Sequence, residues 1–107
     1  MTGVQTCALP IYRVTLDLGN KSIAADPPLA KRVYLLDFPE YTIVTHSEEH
    51  LVVETESAEK YQPGDVVYAI PSHICPSVAL HREVLVAEEN RVVGEWTVTA
   101  RDRVLTV

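Results

Sequence analysis

Apolar and polar residues alternate with a period of two over most of the chain, in short runs rich in Val, Ile, Leu, Thr and Tyr. Alternation of this kind sends successive side chains to opposite faces of a strand, so it predicts half-buried β-structure rather than helix. Residues 13–18 alternate and stop at the turn pair Gly19-Asn20. Residues 31–36 and 41–46 are two further strands, parted by Asp37-Phe38-Pro39-Glu40, where proline denies a central ladder position. Residues 50–56 direct Leu51, Val53 and Thr55 to one face and Val52, Glu54 and Glu56 to the other.

Residues 57–62 read as a connector, and Pro63-Gly64-Asp65 as a turn in which Pro presets φ and Gly is free to take a positive one. Residues 66–70 form an apolar strand suited to the core. Residues 83–87 and 91–99, around the polar turn Glu88-Glu89-Asn90, predict a hairpin, with Gly94 marking a bulge or a close backbone approach. No segment holds a helical period beyond a turn or two. The predicted fold class is therefore all-β, a small antiparallel barrel or sandwich of seven to eight short strands.

A chain of 107 residues suits one such domain. With 47% hydrophobic and 22% charged residues it is neither a disordered tail nor a membrane protein. The net charge of −6, without a Lys/Arg cluster, argues against nucleic acid as a partner, because that affinity comes largely from cations that displace counterions. No apolar run approaches the ~20 residues that span a bilayer, so no membrane partner is expected.

The opening stretch MTGVQTCALPI carries no charge, and the texture changes abruptly at Tyr12-Arg13. Residues 1–11 resemble a conceptual translation of a sequencing-library adapter with a GTG codon read as the initiator, the alternative being a genuine N-terminal strand. On the adapter reading the domain proper is residues 12–107, the natural protein extends upstream, and Cys75 is the single authentic cysteine. A lone thiol suits a reducing, cytoplasmic setting.

Chemistry concentrates in Ile70-Pro-Ser-His-Ile-Cys-Pro-Ser-Val-Ala-Leu-His81, where His73 and Cys75 stand two apart between Pro71 and Pro76. In extended backbone such residues project to one side and can converge on a cation, and imidazole and thiolate are both good zinc ligands. Two ligands leave a shell open, with His81 and Ser47-Glu48-Glu49-His50 as candidates to complete it. A Cys–His nucleophilic pair and a structural cysteine beside an incidental histidine remain alternatives. His46 and His81 read as exposed or hydrogen-bonded strand-end residues, and Trp96 as a core or domain-interface aromatic.

Taken in order, Leu16-Asp-Leu-Gly-Asn-Lys21 with Asp26, Ser47-Glu-Glu-His50, Pro63-Gly-Asp65, the His73-x-Cys75-Pro-Ser-Val78 run and residues 91–101 resemble the C-terminal domain of the D-serine dehydratase / D-threonine aldolase family. These are pyridoxal-phosphate enzymes of the alanine-racemase structural type. The resemblance covers essentially everything after Tyr12, and its least generic parts are S-E-E-H and H-x-C-P-[ST]-V. It implies that His73 and Cys75 hold a divalent cation beside the cofactor. The thiolate favours zinc over the manganese preferred by relatives with Asp in its place. It further implies that Glu48, Glu49 and His50 face the site, with Glu48 and His50 as the catalytic candidates; no role for Asp17, Lys21 or Asp26 can be derived.

The Schiff-base lysine and the phosphate-binding loops of the family belong to an N-terminal (β/α)₈ barrel of ~250 residues, which this chain does not contain. Pyridoxal phosphate would bind in that missing part, with a D-amino acid as substrate and a homodimer as the usual assembly; the piece in hand is then inactive alone. The competing expectation is a stand-alone β-barrel binding module with no catalytic role.

Overall fold

The computed structural model describes residues 2–5, 12–102 and 104–106. Among them the chain forms nine short strands: β1 (Thr2–Gln5), β2 (Arg13–Leu16), β3 (Val33–Leu35), β4 (Thr42–His46), β5 (Leu51–Glu54), β6 (Val66–Val67), β7 (Ala69–Pro71), β8 (Glu83–Glu88) and β9 (Arg91–Thr97). One α-helix of a single turn or so, α1 (Cys75–Ala79), and three 3₁₀ turns complete it. A five-stranded sheet has the order β4-β5-β2-β1-β6, while β3-β7 and β8-β9 are two-stranded sheets. Every pairing is antiparallel, so the expected all-β class holds. No helix among the described residues is long and apolar enough to cross a membrane.

The core follows from the alternation. Leu51 and Val53 are fully buried and Thr55 nearly so, whereas Glu54 and Glu56 are exposed, as the period-two pattern of that strand requires. The β2–β5 register sets Val14 opposite Val53 and Leu16 opposite Leu51, and these pack with Val33, Leu35, Ile43 and Val67 into one cluster. Phe38 stacks on Tyr61 at 4.7 Å and meets Tyr41 edge-on at 5.5 Å, closing that cluster at its margin.

Three expectations need correction. The apolar run 66–70 is not one core strand: it divides between β6 and β7, and Val66, Tyr68 and Ile70 point outward while Val67 is buried. Of the two places expected for Trp96, core or domain interface, the core is excluded, since it is 68% exposed. Residues around Cys75 are helical, because Ile74 takes αR backbone and Pro76 sits in the first turn, where its missing N–H costs nothing.

The hairpin and its bulge are as expected. The register shifts between Val86 and Ala87, opposite the Gly94 region, and a Cβ at Gly94 would meet nothing within 4 Å, so the position marks a bulge rather than a close approach. Glu89 and Asn90 both have positive φ, the backbone that a tight two-residue hairpin turn requires.

Of the opening stretch, residues 2–5 form β1 and pair with both β2 and β6, and residue 1 and residues 6–11, Cys7 included, lie outside the described residues.

Candidate functional site

The β3–β7 register, Val33 opposite Pro71, carries the residues after β7 alongside the loop that precedes β3. Ser72 fixes this approach: its N–H donates to the Arg32 carbonyl at 3.0 Å and its hydroxyl donates to the Lys31 carbonyl. Arg32 in turn folds the loop back, its Nε donating to the Pro27 carbonyl at 2.9 Å. Asp26 and His73, 47 residues apart in sequence, thereby meet with Nδ1 2.9 Å from Oδ1. The His73 hydrogen bond is the main reason the Asp26 carboxyl lies below its usual range.

Cys75 is the first residue of α1 and its thiol is free and exposed. Because Ile74 is helical, the same-side projection argued from extended backbone does not apply to His73 and Cys75. The two instead lie on either side of a helix start.

Ser47-Glu48-Glu49-His50 forms the turn between β4 and β5, closed by the Ser47 N–H donating to the His50 carbonyl at 2.9 Å. A second turn docks on it: Asn20 N–H donates to the Ser47 carbonyl at 2.8 Å, and Gly19 packs against the Glu48 and Glu49 backbone. Lys21 crosses between the two, with Nζ 2.6 Å from Glu49 Oε1 and 3.8 Å from Glu48 Oε2. That pairing raises the Lys21 pKa, chiefly through the hydrogen bond to Glu49. Glu48 is exposed and His50 half-buried. His46, which ends β4, accepts a hydrogen bond at Nδ1 from Arg32 at 3.1 Å, so it is the hydrogen-bonded strand-end residue expected.

A depression of about 450 Å³ is lined by Lys21, Pro71, Ser77 and His81, among others, and reaches neither His73 nor Cys75. Ser77 Oγ is buried without a hydrogen-bond partner. A larger, open groove of about 1110 Å³ is lined by Tyr34, Phe38, Tyr41 and Glu54 and includes none of the candidate site residues. Among the described residues, no group of three or more His, Cys, Asp or Glu side chains is close enough to hold one metal ion. The structure thus joins His73 to Asp26, and Lys21 to Glu48 and Glu49, without gathering the whole set around one point.

Residues 4–87 match the profile of the family described as "Putative serine dehydratase domain". A D-threonine aldolase from Arthrobacter sp. is 34% identical over 92 residues, 83% of this chain and 23% of the aldolase. The chain belongs to the D-serine dehydratase / D-threonine aldolase family. Within that family it corresponds to the C-terminal domain. The crystal structure of D-threonine aldolase from Filomicrobium marinum superimposes with a TM-score of 0.69 at 23% identity, covering 94% of this chain and 27% of that one, which establishes the shared β fold. The chain therefore spans about a quarter of the length of these two aldolases. Uncharacterized proteins of Mycobacterium bovis and Mycobacterium tuberculosis are 29% identical over 102 residues, 92% of this chain and 77% of each of them.

Sequence reasoning left Asp26 and Lys21 without a role, and both have partners in the structure. Neither pairing has a local signal, since the partners lie in loops and turns far apart in sequence. The helix at Cys75 did have one: proline followed by small and apolar residues is a helix start.

Proposed function

We propose that this chain is the metal-binding C-terminal domain of a pyridoxal-phosphate-dependent lyase acting on β-hydroxy D-amino acids, of D-threonine aldolase or D-serine dehydratase type. Membership of the family, with 34% identity to a D-threonine aldolase over 83% of the chain, is the observation that carries this reading. The donor chemistry of the motif fits a cation. His73 commits one ring nitrogen to Asp26 and keeps the other, and the exposed Cys75 thiol becomes a thiolate ligand on binding. Imidazole with thiolate favours zinc, with manganese as the alternative. Two protein ligands leave positions open, as a site that receives substrate requires. A divalent ion there supplies Lewis acidity toward a substrate hydroxyl.

The chain's own residues have narrower tasks. His73 and Cys75 hold the cation; Glu48 and His50 face the reacting groups from the β4–β5 turn; Lys21 holds that turn in place through Glu49. Pyridoxal phosphate is bound by the barrel of the parent, the parent is a cytoplasmic homodimer, and the domain alone is inactive. Residues 12–107 carry every motif used here, and residues 1–11, read as adapter-derived, carry none.

In a full-length relative with both motifs, chelation abolishes turnover while the cofactor absorbance stays; full activity after complete metal removal overturns the assignment of His73 and Cys75. A second reading, a stand-alone β module, is favoured by one observation: the mycobacterial relatives, of which 102 aligned residues make 77%, are too short for a barrel of ~250 residues.

A further inference from the structure

We propose that Asp26 is a positioning residue for His73: it accepts the Nδ1–H hydrogen bond, fixes the imidazole in that tautomer and leaves Nε2 as the nitrogen that meets a divalent cation. The inference rests on the metal-site reading above but is read out separately from it. A neutral imidazole carries one N–H and one lone pair, and the hydrogen bond made by one nitrogen decides which role the other takes. A carboxylate has only acceptor oxygens, so the neutral ring can approach it at 2.9 Å only as the donor through Nδ1.

The contact is built rather than incidental. Asp26 precedes Pro27-Pro28, whose fixed φ stiffens the loop, and the Pro27 carbonyl is tied at 2.9 Å to Arg32 Nε. Arg32 also receives the Ser72 N–H at its own carbonyl, so one residue anchors both the loop holding Asp26 and the segment holding His73. Carboxylate–imidazole–metal arrangements raise ligand basicity and orient the ring, and losing the outer partner costs about 10–100-fold in metal affinity.

The test uses the whole chain, labelled with ¹⁵N-histidine and free of metal, at a pH where the ring is neutral. Long-range ¹H–¹⁵N spectra should show His73 as the Nδ1–H tautomer in the wild type and predominantly as Nε2–H in Asp26→Ala. Asp26→Asn keeps an acceptor oxygen without the charge and should retain the Nδ1–H form. In zinc titrations Asp26→Ala should weaken binding about 10–100-fold, with Asp26→Asn in between. An Nε2–H tautomer in the wild type, or a tautomer unmoved by Asp26→Ala in a variant whose amide spectrum remains folded, overturns the inference whatever the zinc data show. Equal zinc affinity in wild type and His73→Ala overturns the metal-site reading, and with it the metal-directed role, while the tautomer result still reports on the Asp26–His73 pair itself.

Discussion

Gly19 lies so close to Glu48 that a Cβ at position 19 would occupy the space of the Glu48 carbonyl group. The obstacle is backbone, and backbone cannot swing aside as a flexible side chain would. Gly19→Ala therefore has to push the Gly19-Asn20 turn off the Ser47–His50 turn, breaking the Asn20-to-Ser47 hydrogen bond and separating Lys21 from Glu49. Urea denaturation should show a loss of about 1–3 kcal/mol or more. An unchanged midpoint would mean that the two turns do not pack as described.

The fully buried Leu51 faces Leu16 across the β2–β5 ladder. Leu51→Ala removes methylene contacts on all sides and should cost about 2–5 kcal/mol in chemical denaturation. Val52→Ala, one residue on but facing the other way and only half-buried, should cost clearly less. Equal costs would contradict the face assignment of this strand.

His46 makes stability depend on pH in a defined direction. Burial, the largest effect, lowers its pKa below 6.5; the Gly19 backbone opposes it, the Arg32 guanidinium adds to the lowering, and the Leu18 backbone opposes it less. Between 6.5 and the lower folded value the unfolded chain binds a proton that the folded chain does not. Stability is thus complete above 6.5 and declines as pH falls through that window. Protonation at Nδ1 also removes the acceptor for Arg32. Melting curves between about pH 7 and 5 should decline in the wild type and flatten in His46→Gln; parallel curves would assign the acid sensitivity elsewhere.

Trp96, the single tryptophan, sits on β9 with Leu85, Val92 and Val93 of the same hairpin also more than half exposed. A two-stranded ribbon is only marginally stable in water. Acrylamide should quench Trp96 fluorescence efficiently in dilute solution, and Trp96→Ala should change the main unfolding transition by no more than about 0.5 kcal/mol. Strong protection from quenching in a monodisperse monomer would show that the hairpin packs on the sheet.

The strands were legible because alternation reports burial directly: Leu51, Val53 and Thr55 could be assigned to the core from their spacing alone. Pairing partners were not, since which strands share a sheet is decided by contacts between distant segments. The 66–70 run illustrates this. Its composition suits a core strand, yet Tyr68 and Ile70 face outward once Ala69–Pro71 pairs with β3. The candidate site divides in the same way. His73 and Cys75 stand out by spacing and by family resemblance, whereas Asp26 gains its partner His73 only through the β3–β7 register. Pro76 marks irregular backbone in the sequence, but its place in a first helical turn, which changes how the His73 and Cys75 side chains project, shows only in the fold.

The central claim is that His73 and Cys75 bind one divalent cation. Cobalt(II) titration of the reduced, whole chain, followed by absorbance beside Cys75→Ala and His73→Ala, tests it most directly. The account predicts weak binding with a thiolate-to-cobalt charge-transfer band that disappears in Cys75→Ala, and loss of binding in His73→Ala. Cobalt binding that is the same in all three proteins, or saturation without any thiolate band, would contradict it.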